Sequence, residues 1–218
     1  MRSRLRIALA ATLAVAALAL AGCTADPLAQ QYLDGSNKGY ISGDGTVTEV
    51  KEPDRGEPVS FTGTDEKGDT VSSADYAGQV LVLNFWYAGC APCRAEAPDL
   101  EKLNGEFAGK GAEFLGVNVR DQAATAVSFA DTYGISYPSI IDTDGAMQYA
   151  FAGTVAPNAV PTTLVLDAEG RVAARILGRV SDPTILETLI KSNLPGGESG
   201  TGNTAPESAA PTSTPTAG

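Results

Sequence analysis

The chain has 218 residues, 43 % of them hydrophobic, and 24 glycines with no Gly-X-Y period; this suits a soluble core and excludes wholesale disorder and a collagen-like fibre. Its formal net charge of −11 repels polyphosphate and anionic headgroups, which argues against nucleic acid as a partner and requires any membrane attachment to come from something other than a basic patch. No histidine is present, so every Ser-His, Cys-His and His-metal arrangement is excluded and the chemistry falls to Cys, carboxylates, Lys, Tyr or backbone groups.

Arg2, Arg4 and Arg6 form a positive start, and residues 7–21 are apolar except for Thr12. This run is shorter than the roughly 18–20 residues of a membrane-spanning helix and has the anatomy of an export signal over residues 1–22. It ends in Leu20-Ala21-Gly22-Cys23, which looks like a bacterial lipobox, with Cys23 as the lipidated mature N-terminus. Residues 23–56 carry turn dipeptides around a β-like run at Thr46-Val47-Thr48 and read as a tether with one strand at its end. Residues 57–194 fit one domain. Residues 195–218 hold no Val, Ile, Leu, Met, aromatic or Cys, and are expected to be a disordered low-complexity tail.

Within the domain, Val59–Thr62 and Thr70-Val71 flank an Asp-Glu-Lys-Gly turn and predict a hairpin. Residues 79–87 are apolar apart from Asn84 and Gln79 and predict a central buried strand. A helix follows from the Cys90–Cys93 segment to Gly109, with Leu100, Leu103 and Phe107 inward and a kink expected at Pro98. Residues 114–119 predict a strand, 122–133 a helix with Ala126, Phe129 and Ala130 inward, 139–141 a strand and 145–152 a short helix. Residues 163–167 and 172–176 predict a hairpin. Asp182-Pro183 opens a last helix burying Ile185, Leu186, Leu189 and Ile190. The order gives an α/β layered domain. Asp142-Thr143-Asp144-Gly145 lacks the closing Glu of a calcium loop and reads as a turn, and Arg171, Arg175 and Arg179 read as a solvated face.

If Cys23 carries lipid, Cys90 and Cys93 remain as a pair. A bridge between them closes almost no loop, so it adds little to stability. A lone Cys-x-x-Cys is compatible with half a zinc site, a structural hairpin or a dithiol redox centre. Zinc lacks a second pair of ligands, and a haem-attachment motif needs His where Arg94 stands. The strand–Cys-x-x-Cys–helix context favours redox chemistry. Cys90 falls at a helix N-terminus, where unpaired N–H groups stabilise a thiolate, and Cys93 lies one turn on as the shielded partner that resolves a mixed disulfide.

With Asn84-Phe85-Trp86, Cys90-Ala91-Pro92-Cys93-Arg94, Glu96 and Pro98, residues 57–194 resemble the TlpA/ResA-type thioredoxin-like proteins, membrane-tethered thiol–disulfide oxidoreductases of the bacterial cell envelope. The resemblance implies a thioredoxin-like fold with an N-terminal β-hairpin and an extra strand–helix insert around 135–152. It implies that Val160-Pro161-Thr162-Thr163 is the loop whose proline is cis and packs beside the cysteines, with the backbone of Val160 offered to a substrate strand. It makes Cys90, Cys93 and Glu96 catalytic, with Glu96 set against a solvated-face reading. Trp86, Tyr87, Ala91 and Pro92 then line the substrate side, with Trp86 equally suited to the core. Two departures stand out. Asn84 occupies the place of the buried Asp of thioredoxin proper, and Gly89 stands where this family has Trp.

The activity so implied is thiol–disulfide exchange through Cys90 and Cys93, with no cofactor beyond that disulfide and no metal. Its partners would be exported proteins and a membrane electron donor or acceptor, and its place the outer face of the cytoplasmic membrane. Reduction of exported disulfides, as in apocytochrome c, is the primary expectation. Oxidation of secreted thiols is the alternative, and a non-catalytic peptide-binding module is the reading from another class. A peroxidase is disfavoured because the Thr-x-x-Cys arrangement is absent.

Overall fold

A computed structural model describes residues 46–155 and 159–196. Its strands are β1 (Val47–Glu49), β2 (Thr62–Thr64), β3 (Thr70–Ser72), β4 (Val80–Trp86), β5 (Ala112–Asn118), β6 (Ser139–Ile141), β7 (Thr162–Leu166) and β8 (Val172–Leu177). The helices are α1 (Ala91–Phe107), α2 (Ala123–Tyr133), α3 (Ala146–Ala150) and α4 (Pro183–Asn193).

The apolar run foreseen at 79–87 is β4, buried along its whole length because both faces of the sheet are covered. The main sheet has the order β1-β8-β7-β4-β5-β6, and β2 and β3 form a separate hairpin. β5 and β6 run parallel to β4, whereas β7 runs antiparallel to β4 and β8 antiparallel to β7. Alternation along β4 divides the core. Val80 and Val82 face Leu100 and Phe107 of α1 and Leu186 and Ile190 of α4. Leu81, Leu83 and Phe85 face Phe61 and Val71 of the hairpin segment and Met147 and Phe151 of the α3 segment. Asn84 and Trp86 share the parity of Val80 and Val82, which turns the one polar side chain of β4 toward α1.

Several boundaries differ from the sequence reading. The strand expected at 46–48 pairs with β8, Val47 opposite Ile176, and Arg55 ties the next turn down. The Arg55 guanidinium donates to the Asp167 carboxylate (2.8 Å) and to Asn193 Oδ1 (2.7 Å). The fold therefore begins ten residues before the expected boundary at 57, because one edge strand and one buried ion pair suffice to fix a turn-rich segment. The hairpin strands start at Thr62, since Val59 donates its N–H to Gly170 of the distant turn rather than to the hairpin partner. α1 continues through Pro98, which lies on its exposed side, and ends at Phe107, two residues before Gly109 at φ 71°. Ile185 is exposed, not buried, on α4.

The hairpin covers the free edge of β6. The Ser139 N–H donates to the Glu66 carboxylate (2.7 Å), and the Glu66 N–H donates to the Ser139 carbonyl (3.1 Å). These bonds satisfy backbone groups that an open edge would offer to another chain. Asp142 caps α3 by accepting the N–H groups of Met147 (2.8 Å) and Gln148 (3.1 Å), so this loop is a turn. Arg171 and Arg175 are not free on a solvated face: Arg171 Nε donates to Asp167 (2.8 Å) and Arg175 Nη1 to the Thr154 carbonyl (2.9 Å). The expected export signal, Cys23 and nearly all of the tail lie outside the described residues.

Candidate active site

The C-terminal end of β4, the start of α1 and the start of β7 meet at one end of the sheet, and this topology assembles the site. Cys90 is the N-cap of α1, and its Sγ accepts the N–H of Cys93 (3.1 Å). Orphan N–H groups at that end stabilise negative charge on this sulfur. The two sulfurs are joined as a disulfide, with Cα atoms 5.2 Å apart. Both cysteines are buried, Cys90 at 4 % and Cys93 at 2 % exposure, so the expected contrast between an open and a shielded sulfur is slight in the oxidised form. Ala91 and Pro92 between them are exposed.

Glu96 lies one turn beyond Cys93 on the same face of α1 and is completely buried. The solvated-face reading of this residue is therefore wrong. Its carboxylate accepts a hydrogen bond from Asn84 Nδ2 (2.9 Å) at one oxygen and from the Val180 N–H (2.8 Å) at the other. Asn84 also donates to Thr163 Oγ1 (3.1 Å), so its amide spans α1 and β7 across β4. Burial pushes the Glu96 carboxyl from 4.5 up to about 7. The Val180 and Asn84 hydrogen bonds and the charge of Arg179 pull against that rise, and Asp99 adds to it. A carboxyl at about 7 exchanges its proton near neutral pH, which a chain without histidine otherwise cannot do with an ordinary side chain. A cavity of about 20 Å³ touches Cys93, Asn84, Trp86 and Ser139.

The Val160–Pro161 peptide bond is cis. Thr162 pairs with Phe85, so Pro161 falls opposite the end of β4, four residues before Cys90. Val160 is half-buried and Pro161 buried. Trp86, expected on the substrate side, is instead core. It is 6 % exposed, lies 4.2 Å from the Phe129 ring, centroid to centroid, and donates Nε1–H to Ser139 Oγ (3.2 Å). It fills the floor under the cysteines. Tyr87 is half-buried, and the Arg120 guanidinium lies over its ring, 4.0 Å from the centroid.

The loop 87–90 is held by residues that sequence reasoning passed over. Asp121 accepts the Ala88 N–H (2.6 Å), Arg94 Nη1 donates to the Ala88 carbonyl (2.9 Å), and Asn118 Nδ2 donates to Asp121 (3.0 Å). No motif marks Asn118 or Asp121, and Arg94 stands in the Cys-x-x-Cys segment without a role read for it. Val180, just beyond β8, donates directly to Glu96, and Thr163 joins the network through Asn84; both lie far along the chain from the helix they serve. Among the described residues no cluster of His, Cys, Asp or Glu could hold a metal ion, and no helix is long and apolar enough to cross a membrane.

A family model described as the AhpC/TSA family matches residues 56–175. The chain is 30 % identical over 131 residues to a thiol-disulfide oxidoreductase ResA of Halalkalibacterium halodurans, covering 60 % of this chain and 72 % of that protein. It is 32 % identical over 143 residues to the thiol-disulfide oxidoreductase ResA of Bacillus subtilis, covering 65 % and 76 %. Among solved structures, a secreted thiol-disulfide isomerase of Corynebacterium glutamicum superposes with TM-score 0.62 at 33 % identity, over 70 % of this chain and 95 % of that one. A DsbF homologue of Corynebacterium diphtheriae superposes with TM-score 0.61 at 35 % identity, over 72 % and 99 %.

Proposed function

The chain belongs to the AhpC/TSA family and is a thioredoxin-like thiol–disulfide oxidoreductase, and from that premise we propose that it reduces disulfides of exported proteins on the outer side of the cytoplasmic membrane. Apocytochrome c is the substrate expected from the TlpA/ResA resemblance. Lipid on Cys23 would hold the domain at the membrane, with the segment ahead of β1 giving it reach. The lipobox and the secreted character named for the Corynebacterium relative support this placement.

The observation that carries the mechanism is the buried Glu96 carboxyl, wired by Asn84 and Val180 on the Cys93 face of α1. In the reduced protein the Cys90 thiolate attacks one sulfur of the substrate disulfide. The S–S bond breaks, a Cys90–substrate disulfide forms, and the first substrate thiolate leaves and takes up a proton. Glu96 then accepts the proton of Cys93. The Cys93 thiolate attacks Cys90 Sγ, closing the Cys90–Cys93 disulfide and expelling the second substrate sulfur as a thiolate, which takes up the proton held by Glu96. Two electrons pass to the substrate, and a membrane dithiol donor returns them by the reverse exchange. Val160 and the exposed Ala91 and Pro92 are assigned to the substrate side, with the Val160 backbone pairing with the extended substrate.

The opposite direction, oxidation of secreted thiols, is a second reading favoured by the isomerase and DsbF names of the structural relatives. Equilibration of Cys90/Cys93 against a glutathione series decides between them. A potential near or below about −250 mV supports the reductase, and one above about −200 mV supports the oxidant. Cys90→Ser abolishes exchange under either reading, and retention of cellular function by that variant would make the domain a binding module instead. A peroxidase reading is disfavoured because the residue three before Cys90 is Tyr87, not Thr.

A further inference from the structure

We propose that Arg120, seated on Tyr87 beside Cys90, selects substrate segments that carry a carboxylate next to the exchanged cysteine. This rests on the assignment of Cys90 as the sulfur that meets substrate.

Three observations meet here. First, Gly89 has no side chain, and a Cβ there would lie 3.1 Å from Tyr87 Cε2. The absence of the Trp expected at 89 is what lets the Tyr87 ring fold against the residue before Cys90. Second, the exposed Arg120 guanidinium sits over the ring, 4.0 Å from its centroid. A stacked guanidinium keeps its edge N–H groups free for a bidentate carboxylate, and the stacking restrains the side chain in advance. Third, among the described residues the Arg120 guanidinium has no hydrogen bond and no ion pair. The nearest acid in sequence, Asp121, is engaged by the Ala88 N–H and Asn118 Nδ2. Arg94 and Arg179 add positive charge at the same end of the sheet: Arg94 Nη1 is bonded to the Ala88 carbonyl, and Arg179 precedes the Val180 N–H that binds Glu96.

The chain as a whole carries −11, so its long-range field favours a basic peptide over an acidic one. A preference for acid beside the cysteine therefore has to arise locally. At about 150 mM salt the screening length is about 8 Å, which confines the comparison to neighbours of Cys90.

The test uses the full reduced chain and three synthetic disulfide-looped peptides whose reactive cysteine is flanked by Asp, Ser or Lys. Second-order rate constants for oxidation of Cys90/Cys93 are measured by acid quench at 150 mM and 500 mM salt. The Asp peptide should react about three- to fivefold faster than the Lys peptide at 150 mM, the range expected for an exposed, pre-oriented ion pair, and the ratio should shrink at 500 mM. Arg120→Gln should bring the ratio at 150 mM to one or below. Lys110→Gln, the same charge change at the opposite end of the domain, should leave the ratio unaltered. Equal rates for the three peptides with the wild-type chain overturn the selectivity while leaving the oxidoreductase reading intact, as does an Asp preference that survives Arg120→Gln. No exchange with the Ser peptide in either direction overturns both.

Discussion

Glu96→Gln tests the raised proton affinity of the buried carboxyl through the pH dependence of stability. The Glu96 carboxyl is completely buried, and burial raises it from 4.5 to about 7. A carboxyl raised in the native state binds its proton more tightly folded than unfolded. Its full stabilising contribution is present below about pH 4.5 and is lost as the pH rises through about 7. The rise corresponds to about 3 kcal/mol. Glutamine is neutral throughout and abolishes this slope. It also presents one oxygen and one NH₂ to two donors, Asn84 Nδ2 and the Val180 N–H, so one buried donor loses its acceptor at a cost of about 1–3 kcal/mol. The variant should then be less stable than wild type by about that amount near pH 4.5, and equal to it or up to about 2 kcal/mol more stable at pH 8. Urea unfolding of the oxidised protein between pH 4.5 and 8 reads this directly. The disulfide removes the Cys90 and Cys93 thiols from titration, the chain has no histidine, and Cys23 and the α-amino group are common to both proteins. Equal pH slopes for the two proteins would refute the reasoning, as would a flat wild-type curve.

Asn84→Ala strips Glu96 of one donor and Thr163 of its partner; it should destabilise the oxidised fold by about 1–3 kcal/mol and move the titration seen in the urea series to higher pH. Asp167→Ala leaves Arg55 and Arg171 without their buried partner and should cost about 3–5 kcal/mol by urea unfolding. In the wild type, burial opposes ionisation of Asp167, but the Arg171 N–H and the two guanidinium groups overcome it and hold the carboxyl below its ordinary value. The stability it contributes is present at neutral pH and lost as acid protonates it. Gly116→Ala places a Cβ 2.0 Å from Ser139 Oγ and 2.9 Å from Trp86 Nε1; it should cost about 1–3 kcal/mol and break the Trp86–Ser139 bond, with the emission of the single tryptophan reporting the change.

Elements whose pattern is enforced by burial were legible. β4 reads as a central strand because seven consecutive buried positions leave room for one polar side chain, and β6 and the β7–β8 hairpin follow from short apolar runs between turn residues. The errors fall where a distant contact overrides a local signal. Residues 47–55 have the composition of a linker, yet β8 offers them an edge and Asp167 offers Arg55 a buried counter-charge. Val59 belongs by alternation to the hairpin, but the Gly170 carbonyl takes its N–H. Both partners lie more than a hundred residues away, beyond any periodicity window.

At the site, spacing identified the two cysteines and placed Glu96 one turn beyond Cys93, but could not say which way that turn faces. The answer lies in β4. Asn84 has the parity of Val80 and Val82, so its amide points at α1 and needs an acceptor there. Glu96 supplies it, and the Val180 N–H, left unpaired just beyond β8, takes the other oxygen. The carboxylate is buried because two donors that would otherwise be orphaned converge on it, and its burial in turn lifts its proton affinity into the range where a thiol can use it. Under the proposed mechanism, Asn at 84, where thioredoxin proper has Asp, leaves the acid–base role to Glu96 on the helix. An Asp at 84 would set two carboxylates against each other and drive one of them to remain protonated. Asn84 avoids that conflict and leaves Glu96 as the one titrating group in the bond network beneath Cys93.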